Sequence, residues 1–441
     1  MKKFYLLFLL ILLNNCSFDN RSGIWKNELE TISKKDGTFK DFIKISSEEN
    51  IFDRKISLDK NFKFKLSALI INKEWEDIFY KENNNFENFK YNDTNELVYK
   101  SKKLTRHKPD DFLLFAQDDL IFTDDKGNIF VFSFNQKRII FKYNFYKKKY
   151  KKIKKKLFIT FSENIIFASD NLGYFYALDY KKNKIIWAKN YKVPFNSNLK
   201  TLDDKIVASN QINELLFFDR KNGNLLKSIP TEETIVKSQF INNISYTKDK
   251  IFFLNSFGSI YSIDKKTFRV NWFLNLNKTL ESGTHNLFLG SQIVTNEDYV
   301  IISSKNRTYI IDTNSGSIQY KYNFSSLIKP IYNKDYIFLI SRNNYLISIN
   351  IKNGKILYSH NINEQVAKFL NSKKKELELK SLFLVNNELM VFLKNSYILN
   401  YKIEGNLEKV EKLKSKIQTF PIIVNGSLIF LGTNNKLSII N

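Results

Sequence analysis

At 441 residues the chain is longer than one ordinary hydrophobic core accommodates, which points to two domains or to one repetitive architecture. Forty Phe and 23 Tyr exclude a disordered chain, 13 Gly and five Pro exclude collagen-like or Pro-rich material, and one Cys with three His excludes an internal disulfide and a His-rich metal site. The net charge of +25 raises nucleic acid or an anionic membrane surface as a partner, but the Lys, Asn, Ile, Phe and Tyr crowding the chain are all spelled by AT-rich codons.

Lys2 and Lys3 precede an unbroken apolar run from Phe4 to Leu13. Ten residues fall short of the roughly 20 that span a bilayer, so residues 1–15 read as a secretory signal peptide. Cys16 follows directly and resembles the lipid-accepting Cys of a bacterial lipobox, with Leu13 three residues before it; Asn14 and Asn15 depart from the small residues usual there. The resemblance implies acylation of Cys16 and a lipid anchor. Asp19 lies three residues beyond Cys16 rather than beside it, which implies the periplasmic face of the outer membrane.

Residues 16–94 read as a membrane tether and an N-terminal arm lying over the domain that follows. Trp25, Trp75 and the apolar stretch Phe62 to Ile71 imply local packing, whereas Asn83-Asn84-Asn85 and the charged runs read as loop.

From there the chain repeats. Asn171-Leu172-Gly173-Tyr174-Phe175-Tyr176-Ala177-Leu178-Asp179, then Asn183 and Ile185-Ile186-Trp187, alternates turn and strand. With Gly173 as register, the frame recurs at Gly127, Asn213, Gly258, Asn306, Asn344, Ser396 and Asn435, which makes eight units with a mean spacing of 44 residues. Six residues on stand Ser133, Asp179, Asp219, Asp264, Asp312, Asn350, Lys402 and Asn441. Nine residues before it stand Asp118, Asn164, Asp204, Asp249, Glu297, Asp335, Asn387 and Gly426, mostly residues that suit tight turns. Fourteen residues after it stand Phe141, Trp187, Lys227, Trp272, Tyr320, Tyr358 and Val410, largely aromatic.

Four short strands per unit at this period predict an all-β fold, an eight-bladed β-propeller of four-stranded antiparallel blades over residues 95–441. The aromatics should dock between adjacent blades from the outermost strands. The chain stops at Asn441, where the third strand of the last unit ends. Asn95 to Lys100, with Tyr99 in the aromatic place, should supply the missing fourth strand and close the ring from the N-terminal side.

Chemistry-bearing motifs are missing from the sequence: no phosphate loop, paired Cys, His-x-x-x-His or nucleophile elbow. His107, His285 and His360 fall at unrelated places in the frame, and the Asp column, at strand ends before turns, suits side-chain-to-backbone turn bonds better than calcium. The Lys-rich run from Lys147 to Lys156 reads as a solvated loop joining the first two blades, with contact to anionic lipid headgroups as the functional alternative. Charge spread through all the repeats, carried by Lys more than Arg, sets nucleic acid aside. Neither a cofactor nor a metal is expected.

The frame Gly-x-x-Tyr-Ala-x-Asp-x-x-x-(Asn or Gly)-x-x-x-Trp, best seen from Gly173 to Trp187, resembles the propeller repeat of pyrroloquinoline-quinone dehydrogenases. Those enzymes use a Ca2+ cage and commonly two adjacent cysteines, and this chain has one Cys. Lipobox, eight repeats and N-terminal closure together are similar to the BamB family, the lipoproteins of the outer-membrane β-barrel assembly machine. That resemblance implies a non-enzymatic, lipid-anchored periplasmic scaffold, monomeric within a hetero-complex, that binds BamA and other assembly subunits and aids insertion of unfolded barrel proteins. It also implies a BamA contact through an apolar-Arg-Gly element in an inter-blade loop. Leu287-Phe288-Leu289-Gly290 is the nearest match, with Leu289 in the Arg place; the same residues also read as the start of the next blade's innermost strand. A generic envelope ligand-binding propeller and a quinone-dependent dehydrogenase are the alternatives.

Overall fold

Short apolar strands joined by short turns bury both sheet faces by stacking sheet on sheet, and this chain does so in a ring. In a computed structural model, which describes residues 52–146, 150, 152–233, 238–276 and 288–441, eight antiparallel sheets follow one another in chain order. Blades 1 to 7 begin with inner strands Leu114–Ala116, Leu157–Ser162, Lys200–Leu202, Asn243–Tyr246, Val294–Thr295, Ile331–Asn333 and Leu379–Val385, and each continues outward through three more. Blade 8 takes Ile422–Val424, Ser427–Leu431 and Lys436–Ile440 from the C-terminal end, and Leu97–Lys103 as its outer strand. The expected closure is therefore present: Leu97 pairs with Ile440 and Tyr99 with Ile439, in antiparallel register.

The repeat columns have physical causes. Turns between the first and second strands place two successive residues at positive φ, as at Gln117-Asp118, Glu163-Asn164, Asn386-Asn387 and Asn425-Gly426. That is the geometry whose twist matches paired strands, and it favours Asn, Asp and Gly. The register residues sit in the left-handed region at Gly127, Gly173, Asn213, Gly258, Asn344, Ser396 and Asn435. In the Asp column the carboxylates accept backbone N–H groups two and three residues on, for example Lys221 and Asn222 on Asp219, and Asn314 and Ser315 on Asp312. These are turn locks, as expected.

The outer-strand aromatics dock on the following blade. Trp187 Nε1 donates to the Arg220 carbonyl at 3.0 Å, and Trp272 Nε1 to the Thr313 carbonyl at 3.0 Å. Each ring lies on a turn glycine of the next blade: Trp187 on Gly223, Trp272 on Gly316, Tyr320 on Gly354, Tyr358 on Gly405. Tyr99 continues the pattern across the closure, its ring 6.2 Å from that of Phe132 in blade 1. Where blade 3 offers Lys227 instead, the next blade supplies Phe268, which packs back on Phe217 at 4.5 Å. A Cβ at Gly316 would stand 2.6 Å from the Trp272 ring, and φ there is +73°. Gly316→Ala should therefore lower stability by roughly 2–4 kcal/mol, strain plus overpacking, read as a shifted urea midpoint.

The arm departs from expectation. The first part of the arm lies across blade 6 as expected, but residues 70–91 run through the ring rather than over it, and arm and ring form one compact unit. Ile56 pairs antiparallel with Ser359 on the outer edge of blade 6, by hydrogen bonds of 3.0 and 2.9 Å. Phe64 then packs against Tyr336, Phe338 and Tyr358 of blade 6. From Ile70 to Tyr91 the chain fills the axis of the propeller, before Asn92 donates to the Gly426 carbonyl and the chain leaves towards the closing strand. The reason is the unpaired backbone that eight inner strands present to an axial hole.

Candidate functional site

Two places on a propeller can hold a function: the axis and the rims. The axis is occupied by the arm. Trp75 exchanges both backbone hydrogen bonds with Phe115 of blade 1, at 2.7 and 3.0 Å. Inner-strand N–H groups of Phe161, Tyr246 and Thr295, and those of Asn386 and Asn425 in the turns that follow, donate to arm carbonyls of Glu76, Glu82, Asn83, Phe89 and Asn72. In blade 7 the pairing extends to a short parallel strand, Asn88–Phe89 against Leu384 and Val385. Blade 6 holds the arm through Tyr332, which gives its N–H to Asn85 Oδ1 and takes the Asn85 amide on its carbonyl. Asn84, expected in a loop, is fully buried and caps the carbonyls of Ile244 and Ile293. Blade 3 is held by an ion pair: Lys200 Nζ lies 2.6 Å from Asp77 Oδ2, both side chains buried.

Apolar packing completes the plug. Trp75, Ile78, Phe79, Tyr80, Phe86 and Phe89 are all buried. Trp75 lies 4.6 Å from Tyr80 and Phe86 stacks on Phe383 of blade 7 at 4.7 Å. Glu76 is exposed, yet partial loss of its water shell, with Glu74 and Asp77 close by, pushes its carboxyl up to about 7. Burial also holds the Lys200 ammonium below its ordinary range, although Asp77 opposes the effect.

The rim built by connectors entering the inner strands carries the remaining features. Every such connector joins an outermost strand to the next innermost one, so all of them lie on one face of the ring. Phe288 is buried between blades 4 and 5, 5.0 Å from Phe240 and against Gly258, with its N–H on the Ser256 carbonyl at 2.9 Å. Phe288 is thus a packing residue and offers no side chain to a partner, a correction forced by its burial. Gly290 sits against the Ser303 carbonyl, where a side chain would not fit. Of the expected contact residues Leu289 alone, 43% exposed, faces solvent among those described; Leu287 lies outside the described residues. Two further connectors on this face expose apolar side chains: Leu327 before blade 6, and Phe369 and Leu370 at the end of helix α1 (Ile362–Phe369) before blade 7. Sequence periodicity passed over them because they stand in the non-repeating connectors.

The other singled-out residues are dispersed. Cys16 and His285 lie outside the described residues. His107 is exposed on a connector, and His360 stacks on Tyr358 at 5.3 Å, where burial pulls its pKa down. The Lys-rich connector is not wholly solvated: Lys155 is buried, with its ammonium 5.2 Å from the Tyr146 ring centroid and bonded to the Tyr150 carbonyl. Among the described residues no group of His, Cys, Asp and Glu is arranged to hold a metal ion.

The family model described as outer membrane protein assembly factor BamB matches residues 145–360. BamB from Moraxella catarrhalis superposes with a TM-score of 0.61 at 14% identity, covering 78% of this chain and 99% of that one. A europium-containing methanol dehydrogenase gives 0.60 at 11% identity, covering 83% and 89% of the two chains. The quinohemoprotein alcohol dehydrogenase of Comamonas testosteroni gives 0.61 at 8% identity, covering 83% and 80%. At these identities the structural likenesses define the propeller fold. No curated protein matches the chain significantly by sequence.

Proposed function

We propose that this chain, whose residues 145–360 belong to the family of the outer membrane protein assembly factor BamB, is a non-enzymatic scaffold of the outer-membrane β-barrel assembly complex. In this reading Cys16 carries the lipid that holds it to the periplasmic face of the outer membrane, and the excess of basic residues adds a weaker attraction to anionic surfaces. BamA docks on the connector rim, where Leu289, Leu327, Phe369 and Leu370 present apolar side chains from three consecutive blade junctions. A rigid ring holds such loops at fixed spacing, which suits it to gathering subunits and unfolded barrel proteins.

The observation that carries the reading is the filled axis. Quinone-dependent dehydrogenation would need room on the axis for a whole cofactor, and Trp75, Tyr80, Phe86 and Phe89 occupy that room. A scaffold needs only the rim.

Affinity capture of the chain from envelope membranes, followed by mass spectrometry, should recover BamA and its companion subunits. The pair Leu289→Asp and Phe369→Asp should cut recovered BamA at least tenfold without moving the thermal midpoint, since both side chains are exposed. Capture that brings down no barrel-assembly subunit would sink the scaffold; undiminished capture by the variant would sink the rim assignment alone.

A further inference from the structure

The arm does not fill the axis to the connector face. Above Phe86 a cavity of 200 Å³ remains, walled by Phe112, Phe420 and Leu382 and reached by Lys329, Lys380 and Ser381. Its charges are unbalanced. Lys329 is 5% exposed; its ammonium lies 3.0 Å from the Phe79 carbonyl and 3.3 Å from the Phe86 ring centroid, and no carboxylate among the described residues pairs with it. Lys380 Nζ likewise has only a carbonyl, that of Gln418 at 2.8 Å. Asp77, the acidic group buried deeper on the axis, is hydrogen-bonded to Lys200 and to the Phe79 N–H and reaches Lys329 only through its field. Asp111 is the one carboxylate lining the cavity; exposed at the rim, it favours the Lys380 ammonium from outside and leaves Lys329 uncompensated within the cavity.

An unpaired ammonium removed from water is costly, and a fold keeps one only where something offsets that cost. Burial accordingly holds Lys329 well below its ordinary pKa. A second polar group is also unspent: Ser381 Oγ is buried without a hydrogen-bond partner. Two ammonium groups and a free hydroxyl thus meet aromatic walls in a space below the roughly 300–1,000 Å³ that encloses a drug-sized ligand. The space fits the end of a molecule rather than a whole cofactor.

We propose that this axial cavity binds a carboxylate borne on an aromatic or aliphatic body, with Lys329, Lys380 and Ser381 holding the anion and Phe86, Phe112 and Phe420 the apolar part. The site borders the docking rim at Leu327 but does not rest on the scaffold reading. Such a group comes either from a free small acid or from the carboxyl end of a peptide chain.

Isothermal titration calorimetry of the full chain distinguishes the sources with four probes: 3-phenylpropanoate, its amide, N-acetyl-glycyl-phenylalanine and its C-terminal amide. At least one acid should bind saturably, at least tenfold tighter than its own amide. Preference for the peptide acid assigns a chain terminus, and preference for phenylpropanoate a free acid. Lys329→Met should weaken that binding at least tenfold, and Lys380→Gln and Ser381→Ala, which spare the buried ammonium should Lys329→Met fail to fold, should each weaken it severalfold. Acids that bind no tighter than their amides, or binding unchanged in Lys380→Gln and Ser381→Ala, would overturn the proposal.

Discussion

A chain that begins at Asp93 keeps the closing strand Leu97–Lys103 and all eight sheets, yet it should unfold at a far lower urea concentration than the full chain, or fail to accumulate as folded protein. Loss of the arm strips hydrogen-bond partners from inner strands or their turns in every blade and opens an apolar axis to water. A single substitution shows the scale. Trp75 is 2% exposed, lies within 6.4 Å of the rings of Tyr80, Phe86, Phe89 and Phe383, and joins the arm to blade 1. Trp75→Ala should cost about 3–5 kcal/mol. Against a total stability of about 5–15 kcal/mol, that alone removes a large share. Circular dichroism during urea unfolding measures both variants without depending on the lost indole. A truncated chain with the midpoint of the full one would show that the ring carries its own stability and that the arm is ornamental.

The ring was legible and the arm was not, for one physical reason. Each blade solves the same local problem, so the residue that must take positive φ recurs, from Gly127 to Asn435, as do the turn-locking carboxylates and the inter-blade aromatics. Even the closure could be read, because Tyr99 fills the aromatic place that the last unit lacks. The arm solves a different problem at every step: it meets the eight blades in different ways, through a backbone pair at Phe115, an ion pair at Lys200 and a side-chain amide at Tyr332. Nothing in it repeats. Its aromatic density from Trp75 to Phe89 was the available signal, but density announces burial without saying against what. Phe288 illustrates the same limit at the rim, where adjacent residues point to the core and to solvent, and only the packing tells which is Phe288 and which is Leu289.

The ion pair between the arm and blade 3 should show its character in a double-mutant cycle. Asp77 and Lys200 are each buried, 2.6 Å apart, and Asp77 also accepts the Phe79 N–H while Lys200 donates to the Lys81 carbonyl. Removing either partner strands the other's charge in the interior, so Asp77→Leu and Lys200→Met should each cost about 3–5 kcal/mol. The double variant should cost less than the two single losses together, since neither charge is then left behind. The pH dependence separates this from simple loss of packing. In Asp77→Leu the stranded Lys200 has a lowered folded-state pKa, so its deficit is greatest at low pH and shrinks as pH rises towards the ordinary lysine range. The urea midpoint of Asp77→Leu, taken relative to the parent chain, should therefore lie closer to it at pH 9 than at pH 5. A deficit that does not change with pH would mean that the pair acts through shape alone.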